Sequence, residues 1–228
     1  MNTPSIVRRG PVARFSPRFL VSCLGALALA GAVCSSARAD VVYDETAMGD
    51  LSNSGLAPTT ITLHSGANQI WGTTGRATAV DRDYLTVTVP SGFTLNSLIE
   101  LPGTTSGGVS FIGLQAGNQV TLPTNATSAA GLLGWYHYGP TNVGSDLFPL
   151  MEVASNGSSG FTAPLGAGSY SFWIQDFNPG SFTYGFELGL APAAGVPVPE
   201  PSTYGMVGGA LVLLLALRRR FSKTSPTA

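Results

Sequence analysis

The chain has 228 residues and a formal net charge of −1, but its charges are unevenly distributed. Residues 40–196 contain eleven acidic residues, two arginines and no lysine, so this segment alone carries a formal charge of −9. A segment this acidic repels phosphate groups, and we expect neither nucleic acid nor an anionic membrane surface as a partner.

The first 39 residues have the pattern of a secretory signal peptide. Four arginines and no acidic residue precede an apolar run from Phe19 to Val33. Ala37 and Ala39 then place small side chains at the two positions that a signal peptidase reads. The pattern predicts cleavage by signal peptidase and a mature chain that begins at Asp40.

Two other export signals are matched only in part. Arg8-Arg9 is followed by Gly10-Pro11, which favours general secretion over twin-arginine export. Leu20 to Cys23 resembles a lipoprotein box, but almost no apolar run precedes Cys23, so we expect no lipid. Because Cys23 and Cys34 both lie in the signal, the mature chain has no disulfide, no thiol nucleophile and no cysteine metal site.

Residues 40–196 predict one all-β domain. Apolar and other side chains alternate along Tyr84–Val89, Tyr170–Gln175 and Tyr184–Leu190, the period of a strand. Further strands are expected near residues 41–43, 60–64, 109–114 and 132–138. Asn178–Ser181 has the residues of a type II turn, which would join the last two alternating segments as a hairpin. Short strands with glycine- and serine-rich turns indicate an antiparallel, jelly-roll-like β-sandwich, flanked by an N-terminal signal helix and a short C-terminal hydrophobic helix.

Two of these strands carry a family resemblance. Asp81–Val89 and Gly168–Gln175 resemble the strand pattern of bacterial pre-peptidase C-terminal domains. Those are small secreted sandwiches often attached to enzymes, so the resemblance implies a non-catalytic accessory or binding module.

The C-terminal residues 197–228 contain three features in a fixed order. A proline-rich acidic motif, Val198-Pro199-Glu200-Pro201-Ser202, precedes an apolar run over 204–217 and a basic stop, Arg218-Arg219-Arg220. As a helix the run would span roughly 21 Å, short of the roughly 30 Å hydrocarbon core of a bilayer. The arginines favour the cytoplasmic side, which leaves residues 40–196 outside.

This order of motif, apolar run and basic stop resembles the PEP-CTERM sorting signal of Gram-negative bacteria. The resemblance implies that a membrane protease, the exosortase, recognises the motif and removes the tail. The chain would pass through an inner-membrane intermediate, held by the C-terminal helix, to the cell surface or an exopolysaccharide matrix, as in a biofilm. The alternative is an ordinary single-span anchor that follows a proline-rich linker.

Aromatic side chains are the candidate ligand-binding residues of the domain. Trp71, Trp135, Tyr136 and Trp173 would stack on sugar rings if they shared an exposed sheet face, whereas large aromatics otherwise fill cores. Trp173 alternates with Phe172 and Ile174, so it faces solvent or a second layer if those two residues are in the core.

Asp81 and Asp83 lie two apart on one predicted strand face and are candidate calcium ligands, the alternative being a solvated turn beside Arg82. No other cofactor is expected. His64 and His137 lie in no local catalytic signature. The sequence therefore favours a non-enzymatic structural or adhesive surface protein, with a glycan-binding module as the second hypothesis and a secreted hydrolase as the third.

Overall fold

The computed structural model describes residues 39–108, 110–195, 208–215 and 218. The predicted signal helix and the motif 198–202 lie outside the described residues. Residues 39–108 and 110–195 belong to one compact unit.

Nine strands account for most of the regular structure in this unit, which confirms the predicted all-β class. Their bounds are β1 Asp40–Asp44, β2 Thr59–Ile61, β3 Gly66–Arg76, β4 Val80–Val89, β5 Phe93–Glu100, β6 Phe111–Ala116, β7 Gly134–Tyr136, β8 Gly168–Gln175 and β9 Gly180–Pro192. Three short helical turns accompany them: α1 Glu45–Met48, a 3₁₀ turn Pro140–Asn142 and α2 Phe148–Met151.

The strands form one curled sheet whose two halves are sheet A and sheet B. Sheet A has the order β5-β9-β3 and sheet B the order β4-β8-β6-β7, all antiparallel. They are joined where β3 turns into β4, through the pairs Gly75–Asp81 and Arg76–Val80. Beyond this corner β3 and β4 diverge, and each gains a short parallel neighbour, β1 on β3 and β2 on β4.

The main core lies between the inner faces of the two sheets. Side chains of sheet A, such as Ile70 and Leu188, and of sheet B, such as Leu85 and Ile174, line a residual void of only about 10 Å³. This close packing is that of a protein interior and leaves no room there for a ligand.

The last two strands do not form the hairpin that the sequence predicts. β8 pairs with β4 and β6 in sheet B, whereas β9 pairs with β3 and β5 in sheet A. Both edges of each strand are therefore occupied, and the connection through Asn178–Gly180 crosses from one sheet to the other. The turn residues are present, but the edges they would bring together have other partners.

Sequence patterning also misses β3 and β5. β3 places polar or small residues at inward positions: Asn68 and Thr74 are 0% and 1% exposed. In β5 the register slips between Leu95 and Ser97, so that the buried Leu95 and Leu98 are three residues apart rather than two. A bulge of this kind breaks the two-residue alternation on which strand prediction depends.

The backbone over residues 208–215, within the predicted hydrophobic run 204–217, is helical. Among the residues that the structure describes, no helix combines the length and the apolar character that crossing a membrane requires.

Candidate functional site

Three carboxylates converge at one edge of the domain, where the segment after β1 meets β4. Glu45, Asp50 and Asp83 each place one carboxylate oxygen within 4.8 Å of the other two. We call these three residues the acidic cluster. Its members differ in exposure: Asp83 is buried, Glu45 is half-buried and Asp50 is exposed.

Helix α1 sets the positions of Glu45 and Asp50. Asp44 caps it by accepting a 2.9 Å hydrogen bond from the Thr46 amide, as aspartate commonly does at a helix start. Gly49 ends the helix with a φ of 93°, a backbone conformation that glycine adopts at little cost. The chain therefore reverses within one short turn and brings Asp50 back beside Glu45.

The Glu45 carboxylate is held by two backbone amides. Its Oε1 accepts from the Leu51 amide at 3.1 Å, and its Oε2 accepts from the Thr73 amide of β3 at 2.8 Å. These bonds fix the carboxylate over sheet A, with its remaining lone pairs available to other groups.

Gly72 makes room for this arrangement on β3. A Cβ atom at this position would lie 2.9 Å from Cδ of Glu45 and closer still to the hydroxyl of Tyr184. Since real Cβ atoms essentially never approach so closely, a side chain here would displace both groups. The glycine thus creates the space that the Glu45 and Tyr184 side chains share.

Asp83 is the buried member of the cluster, with 0% of its surface exposed. Its Oδ2 accepts a 2.7 Å hydrogen bond from the Tyr184 hydroxyl. Its Oδ1 is buried and has no hydrogen-bond partner among the described residues. Buried polar atoms are normally paired, so this oxygen is an exception that needs an explanation.

The electrostatics of the cluster favour a neutralising cation. Burial raises the pKa of Asp83 to about 9, and the neighbouring Glu45 carboxylate adds to the rise. Burial also raises the pKa values of Glu45 and Asp81, and the Asp50 carboxylate raises both further. In residues 39–108 and 110–195, no basic side chain lies within salt-bridge distance of a cluster carboxylate; the one contact of this kind joins His64 to Asp40.

The chemistry of the donor set is that of a hard-cation site. All three groups are carboxylates, the ligands that calcium and magnesium prefer, and the set contains no histidine.

The structure separates the two aspartates that the sequence offers as calcium ligands. Asp83 joins Glu45 and Asp50, while Asp81 lies beside them and accepts a 3.3 Å hydrogen bond from Nδ2 of Asn53. Asp81 also lines an open cleft of about 270 Å³ next to the β3–β4 turn. No sequence signal pointed to Glu45 or Asp50, because they are distant in the chain from Asp83 and only the pairing of β1 with β3 brings them close.

The candidate sugar-binding aromatics do not share one exposed face. Trp173 is 4% exposed and packs in a second cluster, on the outer face of sheet B, against Tyr84 at a 5.6 Å ring distance. It therefore faces a second layer, one of the two outcomes that its alternation allowed. Trp71 belongs to sheet A, and Tyr136 packs against the main core.

Half-exposed Trp135 is the candidate that remains at a surface. It stacks on Phe111 at a ring distance of 6.0 Å, and the exposed His137 lies edge-on to it at 5.3 Å. We call Phe111, Trp135 and His137 the aromatic patch. Sequence reasoning missed Phe111, which lies on β6, the strand that pairs with the β7 strand carrying Trp135.

Neither histidine has the contacts of a catalytic triad among the described residues. His64 contacts Asp40 at 2.6 Å on an exposed edge, and Nδ1 of His137 lies 3.1 Å from the backbone oxygen of Ser110. Oδ2 of Asp176 accepts from the Ser110 hydroxyl at 2.6 Å, but no histidine ring in the described residues hydrogen-bonds to either of these two side chains.

The residues expected to direct export are mostly outside the described part. Ala37, Val198–Ser202, Arg219 and Arg220 cannot be placed, whereas Ala39 directly precedes β1 and Arg218 lies in helical backbone. The predicted mature N-terminus, Asp40, is the first residue of β1.

Comparison with known proteins identifies the C-terminal tail. The profile of the PEP-CTERM protein-sorting motif matches residues 197–220, so the chain carries this motif, as its sequence predicted. No curated protein and no solved structure matches the chain. The resemblance of two strands to pre-peptidase C-terminal domains is not confirmed. The motif indicates an exported protein that passes through a transient membrane-anchored intermediate and is sorted by exosortase to the cell surface.

Proposed function

We propose that this exported protein is a structural or adhesive component of the cell surface or of the exopolysaccharide matrix, without catalytic activity. The observation that carries the proposal is the sorting motif at residues 197–220, directly after a folded domain. A protein delivered in this way acts outside the cell. There a stable domain can bind other surface or matrix components and form part of the matrix itself.

The interior of the domain supports a structural role. The core contains almost no free volume, and the open cleft beside Asp81 is lined largely by small side chains such as Gly75, Ala77 and Ala79. Ligand pockets are usually larger and lined by apolar or aromatic groups. This surface is better suited to broad contacts than to enclosing a small substrate.

The charge of the domain supports deployment in a cation-rich matrix. With eleven acidic and two basic residues, residues 40–196 repel other polyanions unless cations screen or bridge them. Association with an acidic polysaccharide would therefore depend on divalent cations.

The aromatic patch favours glycan binding as the alternative function. Phe111 on β6 and Trp135 on the edge strand β7 present stacked, partly exposed rings. Such a surface suits stacking on a sugar ring. A Trp135→Ala variant that loses retention on the host's purified exopolysaccharide, with the fold intact, would support this alternative.

A complementation experiment in the native host tests the proposal. A strain lacking the gene receives the wild type, a Pro199-Glu200-Pro201→Ala variant, or a matched control in which Ser222-Lys223-Thr224 becomes alanine. We expect the motif variant to keep its tail, stay in the membrane fraction and fail to restore surface attachment of the cells, whereas the wild type and the control restore it.

Two results would contradict this account, and they are distinguishable. Normal tail removal in the motif variant, seen by blot mass, would leave the span as a plain anchor. Unchanged attachment and matrix cohesion in the deletion strain itself would overturn the structural or adhesive role while leaving the sorting route intact.

A further inference from the structure

We propose that Glu45, Asp50 and Asp83 bind one calcium ion that connects the two sheets of the domain. Glu45 is bonded to β3 in sheet A, and Asp83 lies on β4 in sheet B. One oxygen from each residue lies within 4.8 Å of the others. Oxygens that coordinate calcium at about 2.3–2.6 Å are at most about 5 Å apart, so the spacing fits one coordination shell.

The unpaired oxygen of Asp83 is the second, independent observation. Oδ1 is buried without a hydrogen-bond partner in the described part of the chain, although Oδ2 of the same carboxylate is paired with Tyr184. A buried carboxyl oxygen without a partner is costly, whether the group is neutral or ionised. A cation held by the neighbouring carboxylates would supply the missing interaction.

The surroundings of the cluster orient its members. Backbone amides of Leu51 and Thr73 hold Glu45, and the Tyr184 hydroxyl holds Asp83. Such secondary hydrogen bonds fix ligand geometry around metal ions. Gly72 keeps the space between Glu45 and Tyr184 free of a side chain.

The ligand set selects calcium among the common cations. Its donors are all carboxylate oxygens, which disfavours zinc and copper. Magnesium demands a near-ideal octahedron and keeps most of its water, whereas calcium accepts an irregular set of six to eight oxygens. Asp50 is exposed on a turn, so water and nearby carbonyl groups can complete an irregular shell. We expect a dissociation constant of about 10⁻⁴–10⁻³ M, the range of extracellular calcium modules.

Calorimetric titration of the full chain with CaCl₂ tests the proposal directly. The protein is stripped with EGTA, kept in non-ionic detergent and titrated at 150 mM NaCl, with MgCl₂ as the competing ion. We expect one saturable site for calcium and at least tenfold weaker binding of magnesium. Asp50→Asn should weaken calcium binding at least tenfold, because it removes a ligand from an exposed turn without disturbing the core.

Asp40→Asn is the matched control, since it removes the same charge from an exposed aspartate that contacts His64 instead. Its calcium affinity should stay within twofold of the wild type. The proposal is overturned if the wild type shows no saturable heat up to 10 mM CaCl₂, or if Asp40→Asn weakens binding as much as Asp50→Asn does, which would indicate diffuse attraction to an acidic surface.

Thermal unfolding of Asp83→Asn gives a second readout. With a bound ion, calcium raises the wild-type midpoint by several degrees and leaves the variant unchanged. If the cluster instead shares protons and binds no ion, the near-isosteric asparagine behaves like the wild type with and without calcium, and that result also overturns the proposal.

Discussion

The phenolic hydroxyl of Tyr184 donates a 2.7 Å hydrogen bond to Oδ2 of Asp83 inside the sandwich. Tyr184 lies on β9 of sheet A and Asp83 on β4 of sheet B, and both side chains are 0% exposed. The bond therefore joins the two sheets beside the corner where β3 turns into β4, just beyond the last backbone pair, Gly75–Asp81. Buried polar contacts of this kind contribute to stability mainly because breaking them leaves a desolvated group unpaired.

Tyr184→Phe should lower the free energy of unfolding by about 1–3 kcal/mol, since both oxygens of a buried carboxyl then lack a donor. Urea unfolding in the presence of EGTA measures the loss without any contribution from calcium. Tyr170→Phe is the control, because its hydroxyl donates to the Gly166 carbonyl near the surface. If the two variants lost the same free energy of unfolding, the cross-sheet bond would stabilise the domain no more than a surface hydrogen bond does.

Stability should fall as pH rises from about 4.5 to about 7 because of Glu100. This residue is 0% exposed, and burial raises its pKa to about 7 from 4.5, against a smaller lowering effect from the Gly139 backbone amide. The folded state therefore holds the proton to higher pH than the unfolded state. The contribution of Glu100 to the free energy of unfolding is fully present below pH 4.5 and is lost by about pH 7. The free energy of unfolding therefore falls by about 3 kcal/mol over this interval.

Urea unfolding of Glu100→Gln across pH 4 to 8 checks this assignment. The amide cannot ionise, so the variant should lose less stability over this interval than the wild type. Part of the loss of stability with rising pH should remain in the variant, because the pKa of Asp83 is raised as well. Glu187→Gln, at a half-exposed position of β9, controls for the change of charge. A Glu100→Gln profile parallel to that of the wild type would refute the assignment.

Trp173→Ala should destabilise the domain by about 3–5 kcal/mol, the usual cost of truncating a buried aromatic residue. The indole packs against Tyr84 and Phe111, and its Nε1 donates to Oε1 of Gln175 at 3.0 Å. Trp135→Ala should cost clearly less, because that ring is half-exposed. Thermal or urea unfolding compares the two, and a reversed order would mean that Trp173 is not the packing centre of the second cluster.

The exported protein should begin at Asp40. Cleavage after Ala39 leaves β1 complete and retains the carboxylate that contacts Nδ1 of His64 at 2.6 Å. Mass spectrometry of the intact exported protein, with N-terminal sequencing, decides the point. A chain that starts at Cys23 and carries lipid would show instead that the lipoprotein box is used.

Strand type could be predicted from sequence wherever apolar residues alternate. β4 and β8 carry Leu85, Val87, Phe172 and Ile174 at inward positions, and all four belong to the main core. β3 could not be found this way, since Asn68 is buried by hydrogen bonds to the carbonyls of His64, Gly66 and Leu188 rather than by apolar character. From sequence alone, a polar residue such as this predicts a loop, because the hydrogen bonds that allow its burial are not visible along the chain.

The features that act as linear signals could be predicted from the sequence. The sorting motif is recognised along the chain, and the all-β class follows from local alternation and turn composition, so neither requires knowledge of distant neighbours. The assignment of β8 and β9 to different sheets, and the meeting of Glu45 and Asp50 with Asp83, became apparent only in the folded chain. The physical reason is that strand edges and buried charges interact through space, so their partners depend on the closure of the whole sandwich and not on spacing along the chain.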